Sequence, residues 1–210
     1  MKKKIIIVLM VLVVISILAI FYYLKQNPAV NPEGNNTQNN TPINQNSVGE
    51  NNQEMSQNKL VTDEFEIYLP EGWIQTAPTM GASAMAVNEN EQVSDPAVQA
   101  INFRSYLAVS YEALQGKSVT EYLQAVKSGL IELVTDIVFT KDQDLTVNGR
   151  AAHAIEAEMT QNGVDFSVLL VVIEGEKDDV WVVSFNTTKS NWAGYKDAFY
   201  DVANSFNLKK

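Results

Sequence analysis

The chain contains no cysteine and a single histidine, His153. Without cysteine it forms no disulfide, offers no thiol nucleophile and has no lipobox residue for lipid attachment. One histidine excludes a multi-histidine metal site, and no G-x-S-x-G elbow is present to supply the serine of a Ser-His-Asp triad. Phosphate-binding loops of the G-x-x-x-x-G-K-[ST] or G-x-G-x-x-G kind are also missing. The sequence therefore predicts no catalytic residue, no metal site and no cofactor.

A long apolar run dominates the N-terminus, where Ile5 to Leu24 follow three consecutive lysines. A helix of this length reaches about 30 Å, the thickness of a bilayer's hydrocarbon core. The run is longer than the roughly 7–15 apolar residues of a cleaved signal, and it ends in bulky aromatic residues instead of small ones. We expect residues 1–25 to form an uncleaved transmembrane signal anchor, with a cleaved signal as the alternative. The lysines place the N-terminus in the cytoplasm and the rest of the chain outside it.

Beyond the apolar run the chain is acidic. The whole sequence has 15 basic and 25 acidic residues, and four of the bases flank the run, which leaves 11 bases against 25 acids and a net charge of −14. This excess argues against binding to nucleic acid, because such binding depends on neutralising phosphates. It also argues against lying on an anionic lipid surface. We therefore expect membrane contact only through residues 5–24.

Residues 26–60 are predicted to be a disordered linker. From Gln26 to Lys59 the chain has eleven asparagines, five glutamines and three prolines. Few of these side chains can bury apolar area, so folding would not offset the lost conformational entropy. The segment is expected to act as a flexible tether about 30 Å long between the membrane and the domain that follows.

Residues 61–210 show the periodicities of one α+β domain. Apolar stripes predict a helix over Ser118–Val134, with a capping box formed by Ser118 and Glu121, and a C-terminal helix from about Ser190 to Asn204. Glu89–Ala100 is predicted to be a loop or short turn. Strands are predicted at Glu64–Leu69, Ser83–Val87, Ile101–Tyr111, Ile137–Val147, Arg150–Thr160, Val164–Ile173 and Val180–Phe185.

The turns and the apolar runs predict how these elements assemble. Asn148-Gly149 and Asn162-Gly163 are typical of tight hairpins because both residue types tolerate positive φ. Val168–Ile173 is continuously apolar and Val180–Phe185 nearly so, which indicates a sheet covered on both faces. The predicted architecture is an antiparallel β-sheet, arranged as a meander, with helices packed on its faces.

This pattern resembles the PsbP-like superfamily, an α/β/α sandwich of extracytoplasmic and lumenal proteins. The matching residues are Phe65-x-Ile67-x-Leu69-Pro70-Glu71-Gly72-Trp73, the helix after the long strand, Asn148-Gly149-Arg150 and the C-terminal helix closing on Ser205-Phe206. The resemblance covers the domain after the linker and implies a non-enzymatic accessory or partner-binding role. The N-terminal run differs from a plastid transit peptide, and no metal or chloride ligand is transferred from the family.

Two groups of side chains are candidate sites of chemistry. His153 shares a strand face with Ile155, Ala157 and Met159, as a packing residue would. Carboxylates cluster at Asp142-x-Asp144, Glu156-x-Glu158, Glu174-x-Glu176 and Asp178-Asp179. Glu156 and Glu158 point to one strand face and could share a cation, but Ca²⁺ needs six to eight oxygen ligands and D-x-D alone is a weak signal.

The leading hypothesis is a membrane-tethered, extracytoplasmic binding or assembly domain whose partner is another envelope protein. One alternative is a carrier of a small ligand or lipid, which requires an apolar pocket between sheet and helix. The other is a hydrolase that uses paired carboxylates, which requires two acids facing each other in a cleft. Trp181 and Trp192 are expected in the core, and an exposed aromatic patch near Trp73 or Tyr195 would mark a partner site.

Overall fold

The computed structural model describes residues 58–79, 81–134 and 136–209. Within these ranges ten strands and three helices follow one another along the chain. The strands are β1 Lys59–Val61, β2 Phe65–Tyr68, β3 Trp73–Thr76, β4 Ala84–Asn88, β5 Tyr106–Ala113, β6 Val138–Val147, β7 Arg150–Gln161, β8 Val164–Glu174, β9 Asp179–Thr188 and β10 Asn207–Leu208. The helices are α1 Pro96–Ala100, α2 Val119–Leu133 and α3 Trp192–Asn204.

The main sheet is antiparallel and has seven strands in the order β3-β4-β5-β9-β8-β7-β6. The chain leaves β5, crosses one face of the sheet through α2 and enters β6 at the far edge. From β6 it returns strand by strand until β9 pairs with β5. The predicted α+β class with an antiparallel sheet is confirmed, but the simple meander is wrong at this crossover.

Both faces of the main sheet are buried, as the unbroken apolar runs predicted. On one side, the α2 face, Tyr122, Val126 and Leu130 pack into an apolar cluster with the sheet. On the other, the α3 face, Phe199 and Val202 pack into a second cluster. All ten residues of β9 are buried. The predicted helices therefore supply the covers that the two central strands need.

Local signals in the sequence determine the start of α2 and two of the hairpins. Ser118 Oγ accepts a hydrogen bond from the backbone N–H of Glu121, and the Glu121 carboxylate accepts one from the backbone N–H of Ser118, which completes the predicted capping box. Asn148 and Gly149 have φ of 46° and 80°, and Asn162 and Gly163 have 52° and 77°. Both pairs therefore adopt the left-handed backbone that a tight hairpin turn requires.

A second, three-stranded sheet was not predicted. It has the order β1-β2-β10 and joins the first strand of the domain to the chain's C-terminal end. The predicted strand Glu64–Leu69 exists as β2, but it belongs to this sheet and not to the main one. Phe65 packs against Phe206 and Trp181 on the α3 face, with ring centroids 5.2 Å apart in both pairs. β1 begins at Lys59, inside the last two residues of the predicted linker.

Two predicted boundaries between β4 and β5 are wrong. The predicted strand Ile101–Tyr111 begins only at Tyr106, because residues 101–105 form an irregular turn. The predicted loop Glu89–Ala100 contains the short helix α1, whose N-cap Asp95 accepts a hydrogen bond from the N–H of Ala97. The sequence prediction relied on apolar content, which does not distinguish the turn at residues 101–105 from β5.

No helix in the described ranges is long and apolar enough to cross a bilayer. The predicted anchor, Ile5 to Leu24, lies outside the described residues, as does the predicted linker up to Gln57.

Gly175, in the β8–β9 hairpin, has no room for a side chain. A Cβ there would overlap the carboxylate of Asp179, whose backbone oxygen also accepts a hydrogen bond from the N–H of Gly175. We expect Gly175→Ala to lower the free energy of unfolding by about 1–3 kcal/mol, because the carboxylate has to move. Urea unfolding of the full chain, followed by tryptophan fluorescence, measures this change.

Gly129→Ala provides the matched control. Gly129 lies inside α2, and nothing is within 4 Å of the position its Cβ would take. Alanine there should raise the stability by about 0.4–1 kcal/mol, because it restricts the unfolded chain. Equal effects of the two substitutions would contradict the steric explanation for Gly175.

Candidate functional site

The connection between β4 and β5 forms a half-open cavity, which we call the loop cavity. It has a volume of about 360 Å³ and a largely polar lining. The residues that line it are Glu89, Asn90, Glu91, Gln92, Val93, Gln99, Asn102, Phe103 and Arg104. This volume lies within the range of about 300–1,000 Å³ that is usual for binding pockets.

Glu91 is the buried carboxylate of the loop cavity, with 9% of its surface exposed. It accepts hydrogen bonds from the backbone N–H of Ser105 at 2.5 Å, from Ser105 Oγ at 2.7 Å and from Asn191 Nδ2 at 2.9 Å. Ser105 Oγ also lies 2.7 Å from Thr187 Oγ1 of β9. These bonds attach the β4–β5 connection to the end of β9 and the start of α3.

The position of Glu91 also suits the dipole of α3. Asn191 is the N-cap residue of α3, yet its side chain makes no capping bond and donates to Glu91 instead. A carboxylate near a helix N-terminus is stabilised by the positive end of the helix dipole. Burial raises the pKa of the neighbouring Tyr195 phenol, and the charge of Glu91 raises it further. Asn88 Nδ2 donates to this phenol oxygen at 2.7 Å, at the end of β4.

Arg104 forms the rim of the loop cavity and is held by the loop itself. Its Nη1 donates to the backbone oxygen of Glu89 at 2.6 Å and to that of Glu91 at 3.2 Å. The side chain is exposed. Within the described ranges, Arg104 forms no ion pair with a carboxylate, whereas Arg150 pairs with Glu176 at 2.5 Å.

A second buried carboxylate, Glu156, lies on the α3 face with 3% of its surface exposed. It accepts from Tyr200 OH at 2.7 Å and from Lys196 Nζ at 3.0 Å, and Lys141 Nζ is 3.9 Å away. Burial raises the pKa of Tyr200 well above its usual value, and the hydrogen bond and charge of Glu156 add to this effect. The phenol therefore stays protonated and donates to Glu156.

Several members of the predicted carboxylate pairs bind partners of their own. Glu158 does share a face with Glu156, but it binds Lys189 at 2.6 Å. Glu176 binds Arg150, and Asp178 accepts from the N–H of Gly116 at 2.6 Å. Among the described residues, no group of three or more histidine, aspartate or glutamate side chains is arranged to hold a metal ion. Glu156 and Glu158 therefore do not share a cation here: Lys196 binds Glu156 and Lys189 binds Glu158.

His153 lies between two carboxylates of the neighbouring strand β6. Its Nδ1 is 2.7 Å from Asp144 Oδ1, and its Nε2 contacts Asp142 Oδ1. Lys127 of α2 also contacts Asp142. These contacts confirm that His153 faces α2 together with Ile155 and Met159, and both of its ring nitrogens have partners.

The aromatic residues named from the sequence are distributed as follows. Trp73 and Trp181 are buried, with 1% and 6% of their surfaces exposed. Trp192 and Tyr195 are half-buried and contact Phe199 of the same helix. Trp181 is therefore in the core as expected, while Trp192 lies at its margin.

The residues that shape the loop cavity were not identified from the sequence. Glu91 meets Ser105 across 14 positions and Asn191 across 100 positions. No spacing rule links residues so far apart, and none of them belongs to a recognisable motif. The one available signal was Ser94-Asp95-Pro96, which predicted a turn in this connection.

We expect Glu91→Gln to lower the free energy of unfolding by about 1–3 kcal/mol. The amide NH₂ would face donors that now bind a carboxylate oxygen, so buried donors would lose their acceptor. Urea unfolding of the full chain measures the loss. Glu89→Gln is the matched control: its exposed side chain should change stability by less than about 0.5 kcal/mol. Equal losses would show that Glu91 has no special role.

The Asp142 carboxylate predicts a defined pH dependence. Lys127 holds its pKa below the ordinary value, and His153 lowers it further. A lowered pKa stabilises the fold above the unfolded-state pKa of about 3.9, and this stabilisation disappears as the pH falls through the folded-state value. The stability difference between the natural chain and Asp142→Asn should therefore be present at pH 6 and shrink below about pH 4.

Urea unfolding at a series of pH values tests this dependence. Asp144→Asn is the control, because Asp144 contacts the same imidazole but 95% of its side chain is exposed. Its effect should be smaller at every pH. A difference for Asp142→Asn that grows in acid would contradict the assignment.

Comparison with known proteins gives a fold and no sequence family. No protein-family model matches the chain, and no curated protein matches it. The solution structure of cyanobacterial PsbP (CyanoP) from Synechocystis sp. PCC 6803 matches with a TM-score of 0.55 and 16% identity, covering 78% of this chain and 98% of that one.

Two other solved structures show the same likeness. LpqN of Mycobacterium tuberculosis matches with a TM-score of 0.53 and 13% identity, over 75% of this chain and 88% of that one. A point mutant of protein Mog1 matches with a TM-score of 0.50 and 14% identity, over 73% of this chain and 96% of that one. At such identities the likeness concerns the fold alone, and that fold is the PsbP-like sandwich that the sequence predicted.

Proposed function

We propose that this chain is a non-enzymatic binding domain, tethered to the cytoplasmic membrane, that binds an envelope protein outside the cytoplasm. The loop cavity is the proposed docking site. The observation that carries the proposal is how the polar groups of this cavity are hydrogen-bonded. The buried carboxylate of Glu91 is bonded to Ser105 and Asn191 within the fold. The side chains of Arg104, Asn102 and Gln92 line the cavity, are exposed, and keep polar atoms that no other described residue uses.

The bonding of the buried groups supports binding in preference to catalysis. A general base or nucleophile has to reach the reacting atom with a free lone pair. The two oxygens of Glu91 are used by three donors, and Ser105 has none of its surface exposed. Glu156 is similarly used by Lys196 and Tyr200. These carboxylates therefore act as anchors of the fold, which leaves the cavity rim for a partner.

The location part of the proposal has separate support. The apolar run from Ile5 to Leu24 has the length of a membrane span, with lysines only on its N-terminal side and at Lys25. LpqN, which shares the fold, is described as involved in cell envelope biogenesis. Both observations favour a domain that works at the outer side of a membrane.

A small-ligand carrier is the second candidate, favoured by unpaired polar atoms under α2. Within the described ranges, Tyr106 OH, Tyr122 OH and Asn186 Nδ2 are buried without a hydrogen-bond partner. Tyr106 and Asn186 are direct cross-strand neighbours of β5 and β9. Native mass spectrometry that finds a small molecule retained by the purified chain would favour this candidate over protein docking.

The absence of cysteine allows a site-specific test of the leading proposal. Gln92→Cys places a unique thiol on the rim of the loop cavity. Intact cells are treated with a membrane-impermeant maleimide that carries a benzophenone, and then irradiated. We expect labelling from outside the cell and one reproducible protein adduct, because the partner occupies the cavity. Gel shift and mass spectrometry identify the adduct.

Lys177→Cys is the control, in the exposed β8–β9 hairpin. β5 runs from Tyr106 beside the cavity to Ala113 beside this hairpin, so the two thiols lie at opposite ends of the sheet. Lys177→Cys should be labelled equally but should give no adduct. If both thiols react only after lysis, the location is wrong. If Gln92→Cys is labelled without a reproducible adduct, or both positions give the same adduct, docking at the cavity is wrong.

A further inference from the structure

We infer that Arg104 binds a carboxylate of the partner protein, from an aspartate, a glutamate or the chain terminus. This inference rests on the proposed docking at the loop cavity and names the chemistry of the contact. It draws on three features of the described residues: the fixed guanidinium, its free edge and the polar cavity in front of it.

The guanidinium is fixed before any partner arrives. Both hydrogens of Nη1 are directed to backbone oxygens, those of Glu89 and Glu91. The segment that carries these oxygens is itself held by the buried carboxylate of Glu91 on Ser105 and Asn191. A side chain held in this way loses little further freedom on binding, and pre-organisation of this kind increases affinity.

Fixing Nη1 leaves one edge of the guanidinium open. Nε and Nη2 donate to nothing in the described part of the chain, although they form one of the two forks that bind a carboxylate through paired hydrogen bonds. Arg150 shows the alternative, because its Nη2 already binds Glu176. Arg104 is therefore an exposed guanidinium with an unused bidentate edge at the rim of a cavity.

The lining of the cavity favours a carboxylate on a polypeptide. The amide of Asn102 lines the same cavity and can donate another N–H. Gln92 and Gln99 already donate from Nε2 to the backbone oxygens of Asn90 and Val93, so their side-chain carbonyl oxygens are left to accept from a peptide N–H. Glu89 also lines the cavity, but its side chain makes no bond to Arg104. Its negative charge opposes the approach of any acid, so the contact depends on the paired hydrogen bonds that the open edge of Arg104 can make.

The test uses the Gln92→Cys chain in intact cells, with one further substitution at a time. Arg104→Gln should reduce the yield of the adduct about tenfold or more, the factor that corresponds to about 1.4 kcal/mol. Lys177→Gln, the matched loss of an exposed cation, should leave the yield within about twofold. Glu89→Trp, which fills the cavity, should abolish the adduct.

The adduct also identifies the acid. Mass spectrometry should map the crosslink beside an aspartate, a glutamate or the C-terminus of the partner, and changing that acid to its amide should reduce the yield as Arg104→Gln does. Exchanging the charges, with Arg104→Glu in this chain and arginine at the partner's acid, should restore the adduct. This restoration separates a direct contact from a loop that has merely lost its shape.

Each other outcome has a distinct meaning. If Glu89→Trp abolishes the adduct while Arg104→Gln keeps it within about twofold, docking at the cavity stands and the carboxylate contact is overturned. A crosslink beside a phosphorylated residue, or a charge exchange that restores nothing, overturns the contact as well. If no adduct forms, or if none of the substitutions reduces its yield, both the contact and the docking site are wrong.

Discussion

Burial of the central strands on both faces is the constraint on which the rest of this structure depends. β9 has no exposed residue, and β8 has only three polar positions among its eleven residues. A sheet without a solvent face must be covered on both sides. The crossover through α2 provides one cover, and α3 with the small sheet provides the other. The β4–β5 connection adds to the cover on the α2 face, because its Val98 and Phe103 are buried in the same apolar cluster as α2.

Two buried carboxylates join these covers to the sheet, and each is compensated differently. Glu156 of β7 meets the lysine and phenol of α3, so its charge is paired. Glu91 receives only neutral donors and the dipole of α3. Removing one partner from either arrangement would leave a buried polar group without its bond, which costs more than the bond itself contributes. α3 is thus positioned by polar contacts as well as by apolar packing.

The elements that the sequence predicted well are those governed by local chemistry. The capping box of α2 and the Asn-Gly hairpins require only neighbouring residues. The burial of β8 and β9 follows from the apolar runs within each strand. The small sheet was missed because β1 and β10 have three and two residues, too few for a periodicity. The loop cavity was missed because Glu91, Ser105 and Asn191 are joined only by the folded topology. Clustering of acids in the sequence was misleading, since Glu156, Glu158 and Glu176 each pair with a basic side chain from another part of the chain.

The charge of the domain limits how recognition at Arg104 operates. The chain beyond the apolar run carries a net charge of −14, so its long-range field repels an acidic partner and cannot steer it to the cavity. At physiological ionic strength this field decays over about 8 Å, which leaves the short-range contact largely unopposed once the surfaces meet. A fixed guanidinium with one open edge acts only at that range. Arg104 therefore stabilises the docked complex and does not speed its formation. The slow approach of an acidic partner would be offset by the proposed tether, which would keep this domain close to another protein of the same membrane.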